Sequence, residues 1–109
     1  MTLLQKTADT LISHGLADNY QDFSRRYCGL TENYFYRQAH HNRDFSTEGL
    51  LNCIVNIRKA NKHYDRFSTI FETEIDELGK LESELSVELI KRLKLNDESR
   101  VIISACIAN

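Results

Sequence analysis

The first twelve residues place apolar side chains with the period of an α-helix that buries one face. The apolar positions come in adjacent pairs that recur every three to four residues: Leu3, Leu4, Thr7, Ala8, Leu11 and Ile12. Gly15 follows the last pair, at the position where a helix often takes a left-handed residue. Leu16 can complete the apolar contact beyond that residue. The pattern predicts a first helix that ends just before Gly15.

A second, shorter pattern begins after Asn19, which is a favourable N-cap residue. Its positions follow the spacing i, i+3, i+4, i+7: Tyr20, Phe23, Ser24 and Tyr27. Gly29 interrupts this pattern, and because glycine adopts positive φ without steric cost, it predicts a tight turn between helices. We expect Thr31 to cap a third helix that runs from Glu32 to about His40, with an apolar inner side and a polar outer side.

From Ser46, the expected cap of a fourth helix, no strong helix breaker occurs before Gly79. Seam positions in this stretch step alternately by three and four residues, as in a coiled coil, with Glu74 as a polar interruption: Leu50, Cys53, Ile57, Ala60, Tyr64, Phe67, Phe71, Glu74, Leu78, Leu81 and Leu85. A hinge near Arg66–Thr69, where Ser68 offers a new cap, divides the seam. The earlier part is expected to pack inside the domain. The later part is expected to form a dimer seam: Phe71, Leu78, Leu81, Leu85 and Leu89.

The segment from Asn96 to Asn109 is open to two interpretations. Val101, Ile102 and Ile103 favour a strand, but a lone strand needs a partner to pair with. Asn96 followed by two acidic residues is a favourable helix start. We predict a short apolar helix here, with a strand exchanged across a dimer as the alternative.

Composition narrows the fold class. The chain has 109 residues, of which 41% are hydrophobic and 28% charged, as expected for one globular domain. With no proline and only four glycines, it does not suit a turn-dense β architecture. We predict an all-α bundle of four to five helices that contains a helix-turn-helix, followed by a long amphipathic dimerisation helix and a short apolar tail. The predicted division is residues 1–66 as a head and residues 67–109 as the dimerisation helix and tail.

Charge is unevenly distributed along the chain. The net charge is −2, but residues 1–67 hold nine Lys/Arg against seven Asp/Glu, whereas residues 68–109 hold five against nine. A polyanion would therefore prefer the first part of the chain. The three cysteines are widely spaced, which is typical of reduced thiols in a cytoplasmic protein rather than of a disulfide framework. We expect no secretory segment, no membrane-spanning segment and no membrane partner.

The residues around Gly29 form a helix-turn-helix pattern. A glutamine opens the second helix, a small residue follows an apolar one, a Gly-Leu-Thr turn comes next, and a basic loop precedes a serine-capped helix: Gln21, Phe23, Ser24, Gly29, Leu30, Thr31, Arg43, Ser46, Leu50 and Leu51. This arrangement resembles the Cro/repressor type of DNA-binding protein, and is closer still to a small uncharacterised bacterial helix-turn-helix family. The resemblance covers about residues 3–66. The span from Phe23 to Gly29 is one residue longer than is usual in the Cro type, which predicts an extended turn.

The resemblance implies a sequence-specific regulator, most simply a dimeric repressor from a bacterium, phage or plasmid. Its partner would be double-stranded DNA, read at a palindromic operator with the third helix in the major groove. Gln21 would contact a phosphate and Arg43 the DNA backbone. The other expected contacts lie on or near the third helix: Arg25, Thr31, Asn33, Tyr34, Tyr36, Arg37 and His40. Arginine pairs bidentately with guanine and asparagine with adenine, which suits Arg37 and Asn33 to base readout.

Other functions have less support in the sequence. A protein-binding inhibitor or anti-activator that keeps the fold without reading DNA is the alternative, favoured by the acidic second part of the chain and by Glu32 on the third helix. The four histidines and three cysteines lack the spacing of a structural zinc site, so we expect no metal or other cofactor. No phosphate-binding loop or nucleophile–base pair is recognisable, so we do not expect an enzyme.

Overall fold

The computed structural model describes residues 1–67 and 69–93, and within these ranges every regular element is helical. The predicted all-α fold is confirmed. The elements are α1 (Leu3–Ser13), α2 (Tyr20–Asp22), a π-helical segment (Phe23–Tyr27) that continues α2, α3 (Tyr34–His40), α4 (Thr47–Asp65) and α5 (Glu72–Leu93). The prediction for residues 96–109 and the predicted cap at position 68 lie outside the described residues. No helix in the described ranges is long and apolar enough to cross a lipid bilayer.

Hydrogen bonds cap helix α1 at both ends, and the sequence predicts only the C-terminal cap. At its C-terminus, Gly15 takes φ 71°, and the Leu16 N–H donates to the Leu11 carbonyl at 2.8 Å, as in a Schellman motif. This confirms the predicted role of Gly15. At its N-terminus, the Asp44 carboxylate accepts from the N–H groups of Leu3 and Leu4 at 3.0 and 2.8 Å. Asp44 therefore ties the α3–α4 connection to α1 at the helix end where a negative charge is favourable.

The extra residue between Phe23 and Gly29 is accommodated as π-helix. The Cys28 N–H donates to the Phe23 carbonyl at 3.1 Å, which is the i→i+5 bond of a π-turn. Gly29 then takes φ 63°, which confirms its predicted positive φ. The predicted extension of the turn therefore lies within the second helix itself.

Helix α3 begins later than predicted. It starts at Tyr34 rather than Glu32, and the residue before it, Asn33, makes no side-chain cap bond. The predicted cap residue Thr31 instead contributes its carbonyl, which accepts from the Tyr34 N–H at 3.0 Å. Residues 31–33 are therefore part of the interhelical turn.

Helices α4 and α5 form an antiparallel hairpin and not one long seam. Ser46 caps α4 as predicted, by accepting from the Gly49 N–H, and α4 ends at Asp65. The chain reverses direction between the end of α4 and the start of α5, and α5 packs along α4 and α1. The predicted hinge therefore reverses the chain.

This reversal corrects the predicted dimer seam. The four leucines of α5 are at most 2% exposed and lie in the same core as residues of α1, the π-helical segment and α4: Leu78, Leu81, Leu85 and Leu89. Phe71 is half-buried against Tyr64, with ring centroids 4.9 Å apart. The later part of the apolar seam, on α5, packs against the earlier part of the seam, on α4 of the same chain. Residues 72–93 are consequently part of the core of the head, not a separate unit beyond residue 66.

Candidate nucleic-acid interface

The crossing of the second helix and α3 is built on Ser24. This residue is fully buried, its hydroxyl donates to the Tyr20 carbonyl at 2.8 Å, and the same oxygen accepts from the Phe35 N–H at 3.0 Å. The small side chain lets the helices approach, and its hydroxyl provides a partner for a first-turn N–H of α3 that α3 itself cannot satisfy. Ser24, the small residue of the predicted helix-turn-helix pattern, thus lies buried at the crossing and has an additional hydrogen-bonding role.

Tyr20 packs against the buried side of α3. Its ring stacks on Phe35 with centroids 4.1 Å apart and lies edge-on to Tyr36 at 5.9 Å. Its hydroxyl donates to the Asp9 carboxylate at 2.6 Å, which links the stack to α1. This bond to Asp9, followed by burial, raises the pKa of Tyr20. A phenol is protonated at neutral pH in any case, so the raised pKa extends its donation to Asp9 to more alkaline conditions.

Two asparagines of α4 hold the end of the π-helical segment. The Asn52 side-chain amide donates to the Cys28 carbonyl, and the Asn56 amide donates to the Tyr27 carbonyl, both at 2.9 Å. These carbonyls belong to the last turn of a helix and lack partners within it. Asn52 also lies so close to Gly29 that a Cβ at that position would be 3.1 Å from its amide nitrogen. Sequence reasoning missed both asparagines. Their i, i+4 spacing beside the buried stripe of α4 was the only signal available.

Tyr34 does not belong to the exposed surface, which corrects its prediction as a DNA contact. Only 5% of it is exposed. Its hydroxyl accepts from the Ser46 N–H at 2.8 Å and lies 3.0 Å from the Ser46 hydroxyl. Burial raises the pKa of Tyr34, and the two bonds with Ser46 partly oppose that shift. The ring packs over Gly49, where a Cβ would be 2.5 Å from the tyrosine oxygen. Tyr34 therefore fastens the start of α3 to the start of α4.

The outer side of α3 is exposed. Tyr36 is 47% exposed and is followed on the same side by Arg37 and, one turn later, by His40. The Arg37 guanidinium donates to the Thr31 hydroxyl at 3.1 Å, so this arginine lies over the turn that leads into α3. Eight of the nine predicted DNA contacts are exposed: Gln21, Arg25, Thr31, Asn33, Tyr36, Arg37, His40 and Arg43.

The charge of this region is positive. Residues 20–43 hold four arginines and two carboxylates. Asp22 pairs with Arg26 at 2.9 Å, and Glu32 lies 3.9 Å from Arg25. Within the described ranges, Arg37 and Arg43 have no carboxylate partner. Of the four arginines in residues 20–43, the two that remain available for an anion are therefore those on α3 and in the loop that follows it.

The sulfur and histidine side chains form no metal centre in the part of the chain that the structure describes. Cys28 and Cys53 are buried free thiols, and burial raises the pKa of Cys53, with a further contribution from the neighbouring Cys28. Both thiols are closed off from solvent. His40 and His41 meet edge-to-face on the surface, 5.1 Å between ring centroids. Cys106 lies outside the described residues.

Comparison with known proteins gives a family but no named relative. Neither a curated protein nor a solved structure matches the chain. A family described as "Family of unknown function (DUF6626)" matches residues 4–100, which include nearly all of the helical structure described above. That description assigns no activity, so the geometry around α3 is the basis for inferring function. The chain belongs to this family, DUF6626.

Proposed function

We propose that the protein is a sequence-specific DNA-binding regulator that reads the major groove with the outer side of α3. The observation that carries the proposal is the exposed position of Arg37 on a short helix that is held rigidly from behind by Ser24, Tyr20 and Tyr34. A helix presented in this way can enter a major groove, where the side chains near its N-terminus meet base edges.

The exposed residue types suit distinct tasks in such a complex. Arg37 can pair bidentately with guanine, and Asn33, at the start of α3, can pair with adenine. The Thr31 hydroxyl, which accepts from Arg37, can hold the guanidinium in place before DNA binds. Arg43, in the loop after α3, is suited to a phosphate contact. Readout and backbone contacts therefore come from different parts of one exposed segment.

The overall charge limits how strongly one copy can bind. Neutralisation of phosphates supplies much of the affinity of a DNA-binding protein, and this chain has a net charge of −2. A single head would therefore bind weakly. Two heads related by a two-fold axis would read a palindromic operator and combine their contacts. The simplest role for such a dimer is that of a repressor, which blocks transcription from the DNA that it binds.

The decisive experiment is selection of bound DNA from a random pool, followed by affinity measurements on the enriched site. Arg37→Ala is expected to lower affinity about 10- to 100-fold, because a bidentate arginine–guanine contact is worth about 1–3 kcal/mol. Arg66→Ala is the matched control, since Arg66 is also exposed but lies at the end of α4 remote from the Ser46 contact with Tyr34. It is expected to change affinity less than twofold.

Salt dependence supplies the second measurement. The logarithm of the binding constant should fall linearly with the logarithm of salt concentration, and Arg43→Ala should reduce the slope by about one. If no sequence is enriched at low salt, or if Arg37→Ala binds as tightly as the unmodified protein, the DNA-binding proposal fails. The exposed Glu32 and the acidic α5 would then favour a protein-binding inhibitor instead.

A further inference from the structure

The solvent side of α4 carries an apolar pair between two opposite charges. Leu51 and Val55 are 43% and 42% exposed and lie one turn apart. Glu48 precedes them by three residues and Lys59 follows them by four, so all four side chains share one side of the helix. We call these residues the α4 outer stripe: Glu48, Leu51, Val55 and Lys59. All four are exposed, and the opposite side of α4 is buried in the core.

The order of these residues is self-complementary. If a second α4 lies antiparallel on the first, Leu51 of one copy faces Val55 of the other, and Glu48 of one copy faces Lys59 of the other. The two-fold axis produces each of these contacts twice, as in an isologous interface. A parallel arrangement would instead place Glu48 beside Glu48 and Lys59 beside Lys59, which like-charge repulsion disfavours. We propose that the α4 outer stripe is a self-association surface whose partner is an antiparallel α4 of a second copy of this chain.

The burial of α5 strengthens the case for this surface. Its leucines are used within the chain, so a dimer of this conformation must be made from another side of the molecule. The α4 outer stripe also lies next to the helix-turn-helix, because Asn52, between Leu51 and Val55, bonds to the Cys28 carbonyl. The same two-fold axis would therefore relate the two copies of α3, as reading a palindrome requires. That consequence rests on the proposed function, whereas self-association itself does not.

The size of the stripe sets the expected strength. Two half-exposed aliphatic side chains per copy provide much less than the roughly 800 Å² per partner of a standard interface. The dimer should therefore be weak in free solution, with a dissociation constant on the order of 10–1000 μM. Two copies bound to adjacent half-sites would associate much more readily, because their effective concentration reaches about the millimolar range.

Sedimentation of the full chain over a concentration series, without DNA, tests the surface. The unmodified protein is expected to show reversible monomer–dimer exchange, and Leu51→Asp should weaken the association at least tenfold. Val87→Asp is the matched control, because Val87 is the 65% exposed apolar residue of α5. It should leave the association constant within twofold. A protein that stays monomeric to millimolar concentration, or one whose dimer is lost in Val87→Asp and kept in Leu51→Asp, would overturn the proposal.

Charge reversal tests the antiparallel register. Glu48→Lys and Lys59→Glu should each weaken the dimer about three- to tenfold, since each places like charges together at both ends of the interface. The double variant Glu48→Lys, Lys59→Glu should recover most of the loss. If the single reversals have no effect, or if the double variant is no better than either, the antiparallel pairing is wrong. Thermal melts verify that each variant is folded, and because DNA is absent, none of these results depends on Arg37.

Discussion

The helix-turn-helix and the α4–α5 hairpin are held together by different kinds of contact. The helices between Tyr20 and His40 are short. Side chains form hydrogen bonds with specific backbone groups of these helices: Ser24 from within the segment, and Asn52 and Asn56 from α4. The hairpin of α4 and α5 consists of long helices joined mainly by buried aliphatic side chains. The stability of the helix-turn-helix depends in part on the geometry of individual hydrogen bonds. The stability of the hairpin depends mostly on its buried apolar area.

This difference explains how a small chain can present a short helix in one orientation. Hydrophobic burial is non-directional, so it stabilises a fold but constrains the orientation of one short helix less than a hydrogen bond does. Hydrogen bonds to buried backbone groups lose most of their value when the geometry changes. The hairpin therefore supplies much of the stability, and the polar contacts around α3, together with the stack of Tyr20 on Phe35, set the position of α3. The following predictions test that division, in order of decreasing effect.

The largest effect is expected in the hairpin core. Leu85→Ala removes a side chain with no exposed surface and leaves a cavity between α5 and its neighbours, so it should lower the free energy of unfolding by about 3 kcal/mol. Urea denaturation measures this change. Val87→Ala, on the exposed side of the same helix, should change stability by less than about 0.5 kcal/mol. Equal effects of the two substitutions would show that α5 does not pack as described.

A glycine comparison separates a tight contact from an ordinary one. Gly49→Ala places a Cβ 2.5 Å from the Tyr34 oxygen, so Tyr34 must move and stability should fall by about 2 kcal/mol. Gly79→Ala brings its Cβ only to 3.9 Å from the nearest atom, the Asn61 amide nitrogen. It should stabilise the protein by about 0.5–1 kcal/mol because alanine is the better helix former. Thermal unfolding midpoints of the two variants should therefore move in opposite directions.

The bond at the helix crossing can be tested by Ser24→Ala. This change leaves the buried Phe35 N–H without the Ser24 oxygen and should cost about 1–2 kcal/mol. Hydrogen exchange should accelerate at Phe35 more than at amides of the hairpin core, since the loss is local to the start of α3. Ser83→Ala, at an exposed position of α5, is the control. It should leave exchange at Phe35 unchanged and raise stability by no more than about 0.5 kcal/mol, because alanine is the better helix former. Uniform acceleration over all helices would argue against a local positioning role.

The smallest effect concerns a buried phenol. The Tyr27 hydroxyl donates to the Leu16 carbonyl at 2.9 Å, so Tyr27→Phe should cost about 1 kcal/mol at neutral pH. Burial raises the pKa of Tyr27 from 10.0 to about 12. As pH rises, Tyr27 therefore loses its proton in the unfolded chain before it does so in the folded protein. The contribution of the protonated Tyr27 to the free energy of unfolding is intact below pH 10 and falls between pH 10 and 12.

The pH dependence gives this prediction a second measurement. Stability of Tyr27→Phe should decline less steeply over pH 10–12 than that of the unmodified protein. Some decline should persist, because the pKa values of Tyr20 and Tyr34 are also raised. Parallel curves for the two proteins would mean that Tyr27 is accessible to solvent in the folded state.

The sequence was informative where the cause of a structure lies within a few residues of its effect. Gly15, Asn19, Gly29 and Ser46 act on their own helix ends, and each takes the local role that its position predicts. The small inward residue Ser24 was also predictable, because the spacing i, i+3, i+4, i+7 identifies the inner side of a short helix. Local bonding and periodicity depend only on neighbouring positions, so they can be read along the chain.

Local patterns did not predict which helix packs against the apolar side of another helix. Periodicity shows that the leucines of α5 must be buried, yet a second copy or the preceding helix satisfies that pattern equally well. The reversal of the chain between α4 and α5 brings α4, rather than a second copy, against the leucines of α5. Tyr34, with a partner twelve residues away, and Asn56, with a partner 29 residues away, likewise acquire their roles only through tertiary proximity. Contacts between distant segments depend on how whole helices pack, and no local pattern encodes that choice.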